Sequence, residues 1–407
     1  MKLLFLTFSM MIFSILANAQ SENIVIGTID TINSSILNEK RPVWIYKPDD
    51  AFFGLEKSDS LKRYPVIYLL DGNWHFASVV GLLQQMSFVN GNKICPEMIV
   101  VGIPNTDRFR DLTPSCDSSR SKTSGGSDNF ISFMNKELIP YIDSTYPTAP
   151  YKMLIGHSIG GLTVINTLIK SPDMFNAYVA IDPSMWWDNQ ISLKEAKIDL
   201  HNNQFENKKL FLAISEVKNK DMDTSSVRTD TTRSTIHIRS ILELSDILNL
   251  NTDNKLNYQT KYYNNEDHGT IPLIATYDAL HFIFDFYNDL QIDVTDFTDT
   301  TMALAYKIEN YYNVLSNNMG YSIIPDESYV NRLAYVAMYW KNLPLAEYFF
   351  KMNVNSYPNS YNVYDSMGDY YLTIDNKEQA INMFKKSLSI YENPVTRKKL
   401  DELNEKG

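Results

Sequence analysis

Apolar residues follow two different rhythms along this chain, and near residue 290 one of them stops. YPVIYLLDG (64–72), EMIVVGIPN (97–105), YKMLIG (151–156), AYVAIDPS (177–184), KKLFLAISE (208–216) and NYQTKYYNN (257–265) read as strands, several of them apolar on both faces. Between them, DNFISFMNKELIPYIDSTY and GLTVINTLIK place apolar residues at helical spacing. That alternation predicts a mostly parallel sheet flanked by helices, with IVIGTID and RPVWIYKP near the start adding antiparallel edge strands.

Beyond residue 290 only the helical rhythm remains. Ala346 and Phe350 recur 34 positions later as Ala380 and Phe384. On that period Tyr364, Met367, Gly368, Tyr371, Ala380 and Phe384 fill the aromatic, large, small, aromatic, small and aromatic slots of a tetratricopeptide repeat. Small residues let paired helices approach while the aromatics fill the groove between them. Two repeats over 327–407, closed by a helix around 395–405, are too few to stand alone, so the helix near 301–315 and the preceding body should pack against them. The boundaries expected are a leader over 1–19, an α/β body over 20–290, a connecting helical segment over 291–326 and the repeats over 327–407.

Three of the 15 glycines fall within six positions, in YKMLIGHSIGGLTV (151–164). Gly156-His157-Ser158-Ile159-Gly160 fits G-x-S-x-G between a strand and a helix, the setting of a nucleophile elbow. There the serine sits on a strained turn, and glycines two positions either side relieve the clash of strand against helix.

A serine hydroxyl needs a base to take its proton, and in this fold the histidine follows the serine and the acid in chain order. His75 and His157 come too early, His201 lies in a polar stretch before a strand, and His237 and His281 fall in predicted helices. His268, in the glycine-containing loop NNEDHGTIP, is the base this leaves. The acid should come from a loop between Ser158 and His268, and AISEVKNKDMD offers Glu216, Asp221 and Asp223, with Glu216 nearest the strand end. Backbone N–H groups of Ile159 and Asn73 are the expected oxyanion donors. Trp186 and Trp187 are placed to wall a substrate or to pack in the core, and Arg108 to meet an anionic substrate group or to pair with Asp107 or Asp111.

With a net charge of −11 the chain lacks the basic face a nucleic-acid binder needs. MKLLFLTFSMMIFSILANAQ, a lysine, an apolar run and then Ala17-Asn18-Ala19, reads as a secretory signal cleaved before Gln20, so an exported chain without a membrane span is expected. Two cysteines, Cys95 and Cys116, exclude a disulfide scaffold and a cysteine-built zinc site, although an oxidising compartment would let them pair.

From Tyr64 to about Phe284 the segments YPVIYLLDGN, VGIPNTDRFRDLTP, LIPYIDSTYPTAPYKMLIGHSIGGL, DPSMWWD and EDHGTIPLIATYDALHFIF stand in the order of the Putative esterase family of α/β hydrolases. The chain resembles the siderophore-esterase-like branch of that family, some members of which carry a tetratricopeptide tail. The resemblance implies Ser158 as nucleophile and His268 as base, while its members vary at the acid. The expected function is that of an exported serine esterase working through an acyl-enzyme on a small-molecule ester, without metal or organic cofactor. Alternatives are a feruloyl- or acetyl-type carbohydrate esterase, an acyltransferase, and a non-catalytic protein that binds a partner through its repeats.

Overall fold

The computed structural model describes residues 23–48, 62–216 and 222–405. The expected leader therefore lies outside the described residues. Eight strands form one sheet: β1 (Thr28–Ser34), β2 (Glu39–Tyr46), β3 (Tyr64–Leu70), β4 (Ile99–Ile103), β5 (Thr148–His157), β6 (Ala177–Ile181), β7 (Lys209–Ile214) and β8 (Asn257–Tyr262). Their order is β1-β2-β4-β3-β5-β6-β7-β8. The β1–β2 and β2–β4 pairs are antiparallel and every other pair is parallel.

Side chains alternate between two cores, which is why these strands read as unbroken apolar runs. Val66, Tyr68 and Leu70 of β3 enter one core, while Ile67 and Leu69 enter the other across the sheet. Helices cover both faces, so neither set is left for water. One of the expected edge strands lies further along than its sequence suggests. Pairing in β1 runs from Thr28↔Ile45 to Ser34↔Glu39, because the intervening turn sets the register and leaves Ile24 and Val25 exposed.

The helical stretch expected after residue 127 is continuous but not uniform. A single wide π turn, Met134–Leu138, joins the helices Ser127–Phe133 and Ile139–Thr145. Pro140 in the following turn has no N–H for the α-helical ladder, which supplies a local reason for the widening.

After the sheet, the helix Ala303–Met319 leads into two antiparallel pairs, Glu327–Tyr339 with Leu343–Ser356 and Tyr361–Thr373 with Lys377–Ile390, followed by Pro394–Glu405. Leu304 and Ile308 share a core with Ala334, Ala337, Ala346 and Phe350, while Met319 reaches the core under the sheet. The small slot at Gly368 is used to its limit: a Cβ there would lie 2.4 Å from the Phe384 ring. Both cysteines are free thiols, Cys95 buried and Cys116 exposed. Burial in the apolar core pushes the Cys95 thiol up to about 12.

Candidate active site

The sheet order reverses at β3, which has β4 on one side and β5 on the other, and the loops after β3 and β5 meet at that reversal. Open α/β sheets place their ligand sites at such a point, outside the carboxyl ends of the strands. Ser158 occupies it. Its backbone is held at φ 59, ψ −117, between β5 and the helix Ile159–Lys170. The pose is sustained from three sides: Ser158 N–H donates to Ile181, and the N–H groups of Leu162 and Ser184 donate to the Ser158 carbonyl.

The neighbouring glycines meet backbone or a charged group. A Cβ on Gly156 would stand 2.4 Å from the Gly160 carbonyl oxygen, and one on Gly160 would stand 3.1 Å from Asp71 Oδ2. Any larger residue at 156 would push the helix off the strand and carry the serine with it.

Ser158 Oγ lies 3.0 Å from His268 Nε2, and His268 Nδ1 lies 2.6 Å from Asp182 Oδ2. These contacts bring together the two residues expected as nucleophile and base. The carboxylate beside them is not one of those expected. Glu216 is exposed, and its backbone N–H donates to the Glu266 carbonyl. Asp223 caps the helix Thr224–Thr229, and Asp221 lies outside the described residues. Asp182 takes the position because it follows β6, the strand beside the serine's own, whereas Glu216 follows β7, one strand further away.

Asp182 is fully buried and well bound. Ser215 donates to it twice, N–H to Oδ1 at 3.0 Å and Oγ to Oδ2 at 2.8 Å. His237 Nε2 adds a contact to Oδ2 at 3.0 Å. Burial opposes ionisation, but the hydrogen bonds from His237 and His268 outweigh it and hold the carboxyl far below the usual range. His237 is second in the helix Ile236–Leu250, and helical periodicity carries no sign of a site residue there. Only its place in the first turn, where a helix opens toward the strand ends, was available as a signal.

Two further histidines back the site. The rings of His75 and His157 meet edge to face at 5.8 Å, and His157 lies 4.6 Å from His268. Burial, with the nearby His268 and His75 rings, lowers His157 to about 4, so it stays neutral near pH 7.

Of the remaining expected residues, Ile159 begins the helix after the serine, and Asn73 is second in the helix Gly72–Ser87 after β3. The first N–H groups of a helix have no carbonyl partner within it. Trp186 lines a cleft of about 430 Å³ with Phe109, Ser119, Arg120, Ile159 and Ser184 over Ser158. Trp187 does not. It is 1% exposed, and its indole N–H donates to the Ser115 carbonyl inside the core. Arg108 is likewise engaged, because its guanidinium holds the buried Asp71 at 2.7 and 2.9 Å. It pairs with neither Asp107, which caps the helix Arg108–Leu112, nor Asp111, which pairs with Arg41 and Arg110. The guanidinium at the cleft is that of Arg120, stacked 4.2 Å over Trp186.

Residues 34–289 match the family model described as Putative esterase. The chain belongs to that family. It is 31% identical over 155 residues to the siderophore enterobactin esterase of Emericella nidulans, covering 33% of this chain and 51% of that protein. Over 153 residues it is 33% identical to the ferri-bacillibactin esterase BesA of Bacillus subtilis, covering 32% of this chain and 52% of that one. The chain thus spans about half the length of the curated relatives it matches. An IroE-like serine hydrolase from Shewanella oneidensis superposes with a TM-score of 0.63 at 28% identity, over 81% of this chain and 99% of the other.

Proposed function

We propose that the chain is an exported serine esterase that cleaves a carboxylic ester through an acyl-enzyme. The observation that carries this reading is the unbroken chain Ser158 Oγ, His268, Asp182, with the serine on a strained turn at a helix start. Ser158 Oγ attacks the ester carbonyl while His268 Nε2 takes its proton. Asp182 holds the ring through Nδ1–H and stabilises the imidazolium. The N–H groups of Ile159 and Asn73 are assigned to the oxyanion, after which the imidazolium gives its proton to the leaving alkoxide. Water, activated by the same His268, then releases the acid.

The substrate class proposed is a siderophore ester, on the strength of relatives named as siderophore esterases. The cleft is compatible with an aromatic, anionic acyl group, because Trp186 and Arg120 offer a ring face and a cation beside the serine. Export rests on the leader pattern, and a tetratricopeptide-like role for the helix pairs, including partner binding, on the 34-residue period.

A fluorophosphonate probe tests the reaction class. Labelling of the mature protein should map to Ser158 by peptide mass, vanish in Ser158→Ala and weaken in His268→Ala. A folded wild type that takes no label overturns the mechanism.

A further inference from the structure

Asp182 serves two histidines, and a proton shuttle needs only one. The ligand atoms Asp182 Oδ2, His237 Nε2 and His268 Nδ1 all lie within 4.8 Å of one another. Two imidazoles and a carboxylate are a set that zinc takes with a fourth position left for water. We propose that this cluster binds a zinc ion, and that the bound ion switches Ser158 off. Binding stands on the three side chains alone, whereas the switch rests on the esterase reading above.

The two contacts to the carboxylate are close to what the ion requires. Asp182 Oδ2 lies 3.0 Å from the His237 nitrogen and 2.6 Å from the His268 nitrogen. Tetrahedral zinc, with ligands about 2.0–2.2 Å away, holds them roughly 3.3 Å apart, so each contact opens by less than about 1 Å. The carboxylate is fully buried and pinned by Ser215 at both oxygens. The two rings are 27% and 44% exposed, which gives them freedom to shift and gives the ion a way in from solvent. Ser215 then acts as the outer partner that orients a ligating carboxylate.

Proton positions explain the switch. In the metal-free site the carboxylate only accepts, so His237 Nε2 and His268 Nδ1 carry the protons that face it. Zinc needs a lone pair on each of those nitrogens. The proton of each neutral ring moves to its other nitrogen, Nδ1 of His237 and Nε2 of His268, and a ring that was imidazolium loses one proton to solvent. His268 Nε2 then meets Ser158 Oγ as an N–H donor. It has no lone pair left to take the serine's proton.

The test titrates zinc chloride into the full mature protein by calorimetry, alongside p-nitrophenyl ester turnover, for wild type, Ser158→Ala and His237→Gln. One zinc per chain should bind wild type and Ser158→Ala equally. His237→Gln keeps an N–H for Asp182 but loses a good ligand, and should bind at least about 10- to 100-fold more weakly. Asp182→Asn is a second variant with the same expected loss should His237→Gln fail to fold. Wild-type turnover should fall as the site fills and return with EDTA. Equal binding in His237→Gln, or none below millimolar zinc, overturns the site. A filled site with undiminished turnover overturns the switch. Absence of turnover in the metal-free protein overturns the esterase reading instead, and the calorimetry still decides the site.

Discussion

The α/β body and the helical region after it are held together by different means. The body buries charge: Arg41 and Asp111 meet at 2.6 Å with each side chain 1% exposed, and the fully buried carboxylates of Asp71 and Asp182 are held by Arg108 and His268, which reach partly into solvent. The helical region buries alanines, aromatics and one tightly fitted glycine, and keeps its ion pairs, such as Lys399 with Asp365 and Asp369, partly exposed. Stability alone is better served by the second plan, since a buried charge gains only when every partner is in place. A site that must move a proton needs the first. Buried hydrogen bonds keep Asp182 ionised and hold His268 within reach of Ser158, and a solvated carboxylate would not hold the ring as firmly.

The sharpest way to break this contrast is to disturb one charge in the body without changing its volume. Asp182→Asn keeps the shape but favours the wrong tautomer of His268, and should cut kcat by up to about 10,000-fold. Glu216→Gln should leave ester turnover within a factor of about two, as expected for an exposed group away from the reacting atoms. Steady-state kinetics on a chromogenic ester compares the two, and a large loss at Glu216 with a small one at Asp182 would reverse the assignment of the acid.

A second contrast appears on acidification. His157 falls from 6.5 to about 4 in the folded state, so between those values the unfolded chain binds a proton that the folded chain does not. Stability is therefore present above pH 6.5 and is lost as pH falls toward 4, by about 3 kcal/mol at most. His75, lowered by its own burial, adds in the same direction. Glu39, held at about 2 by its hydrogen bonds to Arg110 and Arg41 against the cost of burial, adds a separate loss between 4.5 and 2. Urea unfolding at stepped pH should show the first loss in wild type and a shallower slope in His157→Gln. Equal slopes would mean that His157 does not govern the window.

The smallest effect probes the helical region. Gly368→Ala places its Cβ against the Phe384 ring, and the overpacking should exceed the roughly 1 kcal/mol that alanine gains in a helix. A net loss of about 1 kcal/mol in thermal unfolding, with ester turnover unchanged, is expected. A stabilised variant would show that the groove between the helix pairs has room to spare.

How legible each region was in the sequence follows from the same difference. The helix pairs rest on contacts between neighbouring turns, and the 34-residue period marks Gly368 as a small position and Phe384 as an aromatic one, although only the packing sets that glycine against that ring. The elbow was legible too, because its strand, glycines and helix are consecutive. The acid was not. Asp182 closes AYVAID just as Glu216 closes KLFLAISE, and both strand ends satisfy the required chain order. Arg108 and Trp187 were ambiguous for a related reason: each has its partner, Asp71 or the Ser115 carbonyl, far off in the chain.

By itself the sequence determined the mostly parallel sheet, the helical tail, the serine at its turn and, by elimination, the histidine beside it. Each of these depends on periodicity or on residues adjacent in the chain. Tertiary structure alone decided which carboxylate His268 meets, that His237 meets the same one, and that Arg120 rather than Arg108 stands at the cleft. Those outcomes depend on the lateral order of strands, which hydrogen bonding and packing choose among segments more than 50 residues apart.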